Sequence, residues 1–140
     1  MPPDSSDVDA ALVAKLGADS ALLALMPNGV YVDEAPPGMT RFVIVSLVDE
    51  HDEAEFGRRA IEDALYLVKA VALSTAGANI RAAAARIDAL LEDGALTVAG
   101  YTHMTMHRVE RVRVTEVDDL DATLRWQHRG GRYRVMVAPT

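Results

Sequence analysis

The chain has 140 residues, half of them apolar, and a formal net charge of −7. That length suits a single domain, residues 1–140, able to bury a core without cross-links, and the lack of cysteine excludes disulfides, thiolate catalysis and cysteine-built zinc sites. The acidic balance argues against general nucleic-acid binding, no apolar run approaches the roughly 20 residues that cross a bilayer, and the polar start Met1-Pro2-Pro3-Asp4-Ser5-Ser6-Asp7 is unlike a signal peptide, so an intracellular domain with no membrane partner is expected.

Residues 1–6 read as a loose tail. Asp7 is placed to cap a helix that sets Val8, Ala11, Leu12 and Leu16 at helical spacing. Gly17 interrupts it, and Asp19 offers a second cap before Ala21-Leu22-Leu23-Ala24-Leu25. The pattern fits two short helices or one kinked helix, ended by Met26-Pro27-Asn28-Gly29. Val30-Tyr31-Val32 is a short strand candidate and Ala35-Pro36-Pro37-Gly38 a loop. Arg41 to Val48 is rich in β-branched and aromatic residues at both parities, as in a strand covered in part on both faces. Asp49 to Arg59 reads as a polar loop, with acids at Asp49, Glu50, Asp52, Glu53 and Glu55 and then Arg58-Arg59.

Residues 61–73 fit two patterns. Ile61, Ala64, Leu65, Val68, Val71 and Ala72 make a helical stripe; Leu65, Leu67, Val71 and Leu73 make a strand face, with Lys69 the exception. Periodicity does not choose between them. Asn79 precedes Ile80, Ala83, Ala84, Ile87, Leu90 and Leu91, which predicts a capped amphipathic helix stopped near Gly94. Leu96-Thr97-Val98 is a short extended piece. Thr102 to Val117 predicts a long strand, with Met104, Met106, Val112 and Val114 at one parity and Arg108 and Glu110 breaking that face. Asp118-Asp119-Leu120-Asp121 is turn-like. Ala122 to Ala138 reads as a returning strand whose apolar parity changes at Gly130-Gly131, the mark of a glycine bulge or else of a tight hairpin. The elements together predict an α+β domain: a mainly antiparallel sheet of about four strands with helices packed on one side.

Charge is unevenly spread. Residues 1–101 hold 16 acids against 7 basic residues, whereas residues 102–140 hold 5 acids against 7 arginines. Opposite fields on one chain can stack it on its own copies or on a neighbour, although arginine also serves as an ordinary solvated strand face. Adjacent antiparallel strands could gather several of Arg108, Arg111, Arg113, Arg125, Arg129, Arg132 and Arg134 on one surface, which would suit an acidic subunit or a phosphate backbone.

Catalytic and metal patterns are weak. On a strand, His103 and His107 stand roughly 13 Å apart, too far to share one ion. The stretch His51-Asp52-Glu53-Ala54-Glu55 has no calcium-loop spacing, Ser46 lies in an apolar strand, and no nucleophile has a recognisable base or orienter. No phosphate-binding glycine pattern occurs. No catalytic, cofactor-binding or metal residue is therefore assigned. Tyr31, Phe56, Tyr101, Trp126 and Tyr133 are candidates for interface anchors and equally for core; for Trp126 the core is favoured.

The order of segments carries a resemblance. Ala11-Leu12-Val13-Ala14-Lys15-Leu16 and Ala21-Leu22-Leu23-Ala24-Leu25-Met26 lead to Asn28-Gly29-Val30-Tyr31, the Ala35-Pro36-Pro37-Gly38 loop and Phe42-Val43-Ile44-Val45. An alanine-rich helix ends in Leu90-Leu91-Glu92-Asp93-Gly94-Ala95-Leu96, and an arginine-bearing strand, the acidic turn Val117-Asp118-Asp119 and Gly131-Arg132-Tyr133-Arg134-Val135 close the chain. Over nearly its whole length this resembles the tail-terminator (tail-completion) proteins of long-tailed bacteriophages, the family of the lambda tail terminator, with relatives in prophages and gene-transfer agents.

The resemblance implies a structural virion protein, not an enzyme and without a cofactor. Copies would assemble, as a hexameric ring, at the head-proximal end of the tail. The ring would cap the tube, end its polymerisation and provide the head-joining surface. Its partners would be the tail tube protein and the head–tail connector protein, with DNA passing without specific contact through the lumen and assembly taking place in the host cytoplasm. Residues 61–73 would be a strand. The candidate assembly residues are Asp49, Glu50, Asp52, Glu53, Glu55, Arg58, Arg59, Arg108, Arg111, Arg113, Arg132 and Arg134. The alternatives are a head–tail connector or neck protein, a small ligand-binding or enzymatic domain, which would show a deep apolar pocket, and an arginine-dependent nucleic-acid binder, whose affinity would fall steeply with salt.

Overall fold

A computed structural model describes residues 5–55, 58–73 and 78–139. Helices α1 (Ser5–Gly17) and α2 (Ser20–Leu25) precede strands β1 (Val30–Val32), β2 (Arg41–Glu55) and β3 (Arg58–Leu73). Helix α3 (Ala78–Leu91) then leads to β4 (Tyr101–Val117) and β5 (Arg125–Pro139). The strands form one sheet in the order β1-β2-β3-β5-β4. β1 pairs with β2 in parallel and every other pair is antiparallel. The domain is α+β, with five strands where about four were expected.

The N-terminal segment forms two helices. α1 begins at Ser5, so the helix takes in the last two residues of the expected tail, and Asp7 lies in its first turn. Asp19 caps α2: its carboxylate accepts the Leu22 N–H at 2.9 Å. That carboxylate also takes two hydrogen bonds from the Arg86 guanidinium, at 2.8 and 2.6 Å. The paired arginine holds the Asp19 pKa down at about 2. Sequence places Asn79 as a cap for α3, but the helix begins at Ala78 and Asn79 lies exposed inside it.

The helices cover one face of the sheet. Leu12, Leu16, Leu22 and Met26 from α1, α2 and the turn that follows, together with Ile80, Ile87 and Leu91 from α3, pack on Val43, Val45, Tyr66, Val68, Tyr133 and Val135. Each large apolar side chain so buried contributes about 1.5–3 kcal/mol. β3 explains why periodicity failed over 61–73. Its even positions Ala64, Tyr66, Val68, Ala70 and Ala72 are buried under the helices, while its odd position Val71 is also buried, on the opposite face. A strand shielded on both sides loses its alternation.

Residues 49–55 and 58–59 are strand, not the expected loop. β2 runs to Glu55 and β3 starts at Arg58, with Asp49 opposite Leu65, Glu50 opposite Ala64, Asp52 opposite Glu62 and Glu55 opposite Arg58. Cross-strand pairing satisfies the backbone there and overrides the low strand preference of Asp and Glu. The register shifts between Leu47 and Asp49 and between Glu53 and Ala54. Phe56 and Gly57 lie outside the described residues.

The expected bulge or hairpin at Gly130-Gly131 is absent. β5 stays in unbroken register with β3 from Val137 opposite Glu62 to Trp126 opposite Leu73. The irregularities sit in its other neighbour: β4 shifts between His103 and Thr105 and between Arg108 and Glu110. The parity change along β5 has another cause. Tyr133, Val135 and Val137 face the helices, whereas Trp126 lies on the opposite face beside Phe42, ring centres 6.3 Å apart. Gly130 is required by close approach: a Cβ there would strike the Val68 carbonyl oxygen and come within 2.5 Å of the Lys69 Cα.

Candidate assembly surface

The arginines fall into two groups, and the β4 bulges decide which is which. In a regular strand Arg108 and Arg111 would face opposite ways, being three residues apart. The extra residue between Arg108 and Glu110 changes that. Arg108 lies opposite Tyr133, Arg111 opposite Gly131 and Arg113 opposite Arg129, all on the helix side of the sheet. Helix α3 brings Arg81, Ala84, Ala85 and Asp88 along one stripe toward them, at i, i+3, i+4 and i+7. The two alanines leave the space between helix and sheet open. The result is a cleft of about 430 Å³ walled by Arg81, Arg108, Arg111, Arg113 and Arg129, with Tyr133 at its base.

Among the described residues Asp88 is the single carboxylate lining that cleft. It accepts the Tyr133 hydroxyl at 2.8 Å and meets the Arg108 Nη1 at 2.9 Å. Arg108 is further fixed by its backbone N–H, which donates to the Glu92 carboxylate. Burial, and then the hydrogen bond to Asp88, push the Tyr133 phenol pKa well above its ordinary value. The side chains of the other four arginines make no hydrogen bond or ion pair with any described residue. Burial and the neighbouring charges of Arg113 and Arg81 lower the pKa of Arg129. The cleft is thus an unneutralised cationic surface suited to carboxylates or phosphates.

Arg132 and Arg134 occupy the opposite sheet face, where Arg132 pairs with Glu110 at 2.9 Å and Arg134 with Asp63 at 3.4 Å. Asp49, Glu50, Asp52, Glu53, Glu55, Arg58 and Arg59 all lie on the β2–β3 hairpin. The register of β3 with β5 ends at Glu62, so Arg58 to Ile61 project beyond the β5 pairing as an arm with β2. Of the candidate anchors, Tyr101 and Tyr133 are buried core. Tyr31 is half-buried, and its hydroxyl donates to the Asn28 carbonyl at 2.6 Å. The Trp126 indole N–H donates to Asp118 at 2.8 Å, and its ring belongs to the second face, not to the main core. Phe56 lies outside the described residues.

His103 and His107 share β4, but the bulge between His103 and Thr105 turns them to opposite faces, His103 opposite Val137 and His107 opposite Arg134. Among the described residues no group of three His, Asp or Glu could hold a metal ion, and no helix is long and apolar enough to cross a membrane.

Comparison with known proteins supplies the family. The family model described as "Tail completion protein gp17" matches residues 10–138. The chain belongs to this family. It is a structural protein of phage tail completion. Among solved structures it is similar to a chain of a native gene transfer agent virion particle, 23% identical, with a TM-score of 0.65 and coverage of 94% of this chain and 96% of that one. A second solved structure is 15% identical, with a TM-score of 0.58 and coverage of 94% and 95%. Both likenesses are of fold. No curated protein matches.

Of the residues that shape the cleft in this tail completion protein, sequence reading singled out Arg108, Arg111 and Arg113 and named Arg129 in the arginine stripe. It missed Arg81. The available signal was the helical spacing of Arg81 to Asp88 across a run of alanines, which reads equally as ordinary helix surface.

Proposed function

We propose that this tail completion protein is a tail terminator. Its copies close into a ring, probed first as a hexamer, that caps the head-proximal end of the tail tube and ends polymerisation of the tube protein. The ring's other face joins the head through the connector protein, the working place is the virion, and DNA passes through the lumen without specific contact. The action is mechanical: no bond is made or broken. The observation that carries the reading is the family match over residues 10–138. The polarised charge supports it, with cationic and acidic surfaces on one chain, as repeated heterologous contacts need. The hairpin acids Asp49 to Glu55 and the arginines of β4 and β5 belong to the assembly surfaces on this reading.

The test is polymerisation of the cognate tail tube protein with and without the purified chain. Addition should halt tube growth and place a ring-shaped density on one tube end in negative-stain images. Tubes that lengthen unchanged, with the chain bound instead to the portal-side assembly, would make it a connector.

A further inference from the structure

In the cleft the chain sets cation against cation. Arg113 of β4 stands directly opposite Arg129 of β5, and a like-charge cross-strand pair destabilises a sheet. Arg81 of α3 adds its charge to the same pair. Arg111 lies opposite Gly131, which has no side chain to fill the space; a Cβ there would come within 3.0 Å of the Arg108 Cδ and 3.1 Å of the Tyr133 ring. Three arginines outside the cleft are each given a carboxylate: Arg86 pairs with Asp19, Arg132 with Glu110 and Arg134 with Asp63. Within it, the one lining carboxylate among the described residues, Asp88, is already taken by Arg108 and the Tyr133 hydroxyl. Arg81, Arg111, Arg113 and Arg129 thus face one volume of about 430 Å³ from three elements, their side-chain donors unmet by any described residue.

We propose that the cleft is a binding site for a small polyvalent phosphate, of the class of inorganic phosphate and pyrophosphate, held by Arg81, Arg111, Arg113 and Arg129. A phosphoryl group carries about −1.5 to −2 charges near neutral pH and three strong acceptor oxygens on one centre, so a single ligand answers several guanidinium groups at once. A carboxylate brings one charge and two oxygens. The planar guanidinium fork matches a pair of phosphate oxygens, and the volume falls within the roughly 300–1,000 Å³ of small-ligand clefts. Asp88 would repel the ligand, but Arg108, in contact with it at 2.9 Å, offsets its charge. The DNA backbone offers the same phosphate chemistry, yet a long polyanion meets the field of a chain with net charge −7, which a small anion in the cleft meets far less. The site belongs to the single chain and stands whether or not these arginines also meet a neighbour in a ring.

Isothermal titration calorimetry of the full chain with pyrophosphate at low salt tests the site. Wild type should bind one equivalent, with a raised Tm and an affinity that falls as sodium chloride is added. Arg113→Gln with Arg129→Gln should weaken binding at least tenfold, while the Tm without ligand rises because the cross-strand repulsion is gone. Arg132→Gln, on the opposite sheet face, should bind as wild type does. A measurement on wild type covers the case in which the double variant fails to fold: pyrophosphate should shift the Nε–H NMR signals of Arg81, Arg111, Arg113 and Arg129 and leave those of Arg132 and Arg134 in place. Succinate, a dicarboxylate, should bind at least tenfold more weakly, and succinate as tight as pyrophosphate would overturn the assignment to phosphate. A wild-type chain that takes up no pyrophosphate at millimolar concentration, or a folded double variant that binds it undiminished, would overturn the site. Capture of a labelled DNA duplex, read by fluorescence anisotropy, without pyrophosphate binding would give the cleft to the nucleic-acid backbone and overturn the small-ligand proposal. Each readout is independent of ring formation.

Discussion

Asp88 is the hinge of the cleft's energetics, and its removal can be costed. Tyr133 is about 1% exposed and its hydroxyl donates to Asp88, which also meets Arg108. Tyr133→Phe keeps the ring and deletes one hydrogen bond to a charged acceptor. Such a bond contributes about 1.5–3 kcal/mol, and the low end applies because Asp88 is partly solvated and retains Arg108. For a chain of this length about 1.5 kcal/mol corresponds to a fall in Tm of about 5 °C. Asp88→Ala is the harsher change, at about 2–3 kcal/mol, since it strands a buried hydroxyl and frees a fifth arginine; alanine itself suits a helix. The double variant should cost less than the two single changes added together, by about 1 kcal/mol, as expected for residues in contact. Urea denaturation followed by circular dichroism measures all three. Asp88→Ala should also become more salt-dependent, because added ions screen the crowded guanidinium groups. The raised Tyr133 pKa adds a pH signature. Its contribution is complete below the unfolded phenol value near 10 and is lost as pH rises beyond that. Tyr133→Phe should flatten that alkaline decline. Additive single effects, within about 0.4 kcal/mol, would refute the network.

Two further outcomes are expected. Asp19, with a pKa of about 2, adds stability that is present above the ordinary carboxylate value of 3.8 and lost as pH falls toward 2; an acid titration of Tm should show this fall, and Asp19→Asn should blunt it. Gly130→Ala should destabilise the sheet by about 1–3 kcal/mol through overpacking against the Val68 carbonyl and Lys69, measured by thermal denaturation, whereas an unchanged Tm would mean that β3 and β5 separate freely.

Much of the fold was legible because local and tertiary preferences agreed. The stripe from Ile80 to Leu91 specifies an amphipathic helix, and four of its residues, Ile80, Ala83, Ile87 and Leu91, are buried on the sheet. The Arg41 to Val48 run, the β4 strand and the returning β5 strand followed from residue type and turn chemistry in the same way. Failure came where neighbours decided. Asp49 to Glu55 has the composition of a loop, yet opposing residues from Arg58 to Leu65 draw it into a ladder. The glycine pair advertised a bulge in β5, but those glycines admit close neighbours, and the bulges that matter are in β4 at positions without glycine. The candidate surface was half legible for the same reason. Arginine content is visible in sequence; which arginines share a face depends on a register shift that is not.

That shift decides how charge is distributed over the sheet. Were β4 regular through Arg108 to Glu110, Arg108 and Arg111 would be divided between the two faces of the sheet. One extra residue puts Arg108, Arg111 and Arg113 on the face where α3 stands, and the small side chains of Ala84 and Ala85 keep that face open. Among the described residues four of the resulting five cations have no side-chain partner, which is an electrostatic cost for the chain. An anion arriving from outside the chain would relieve that cost. Because the cost is repulsion between like charges, raising the salt should screen it and stabilise the lone chain, as a salt titration of Tm would show.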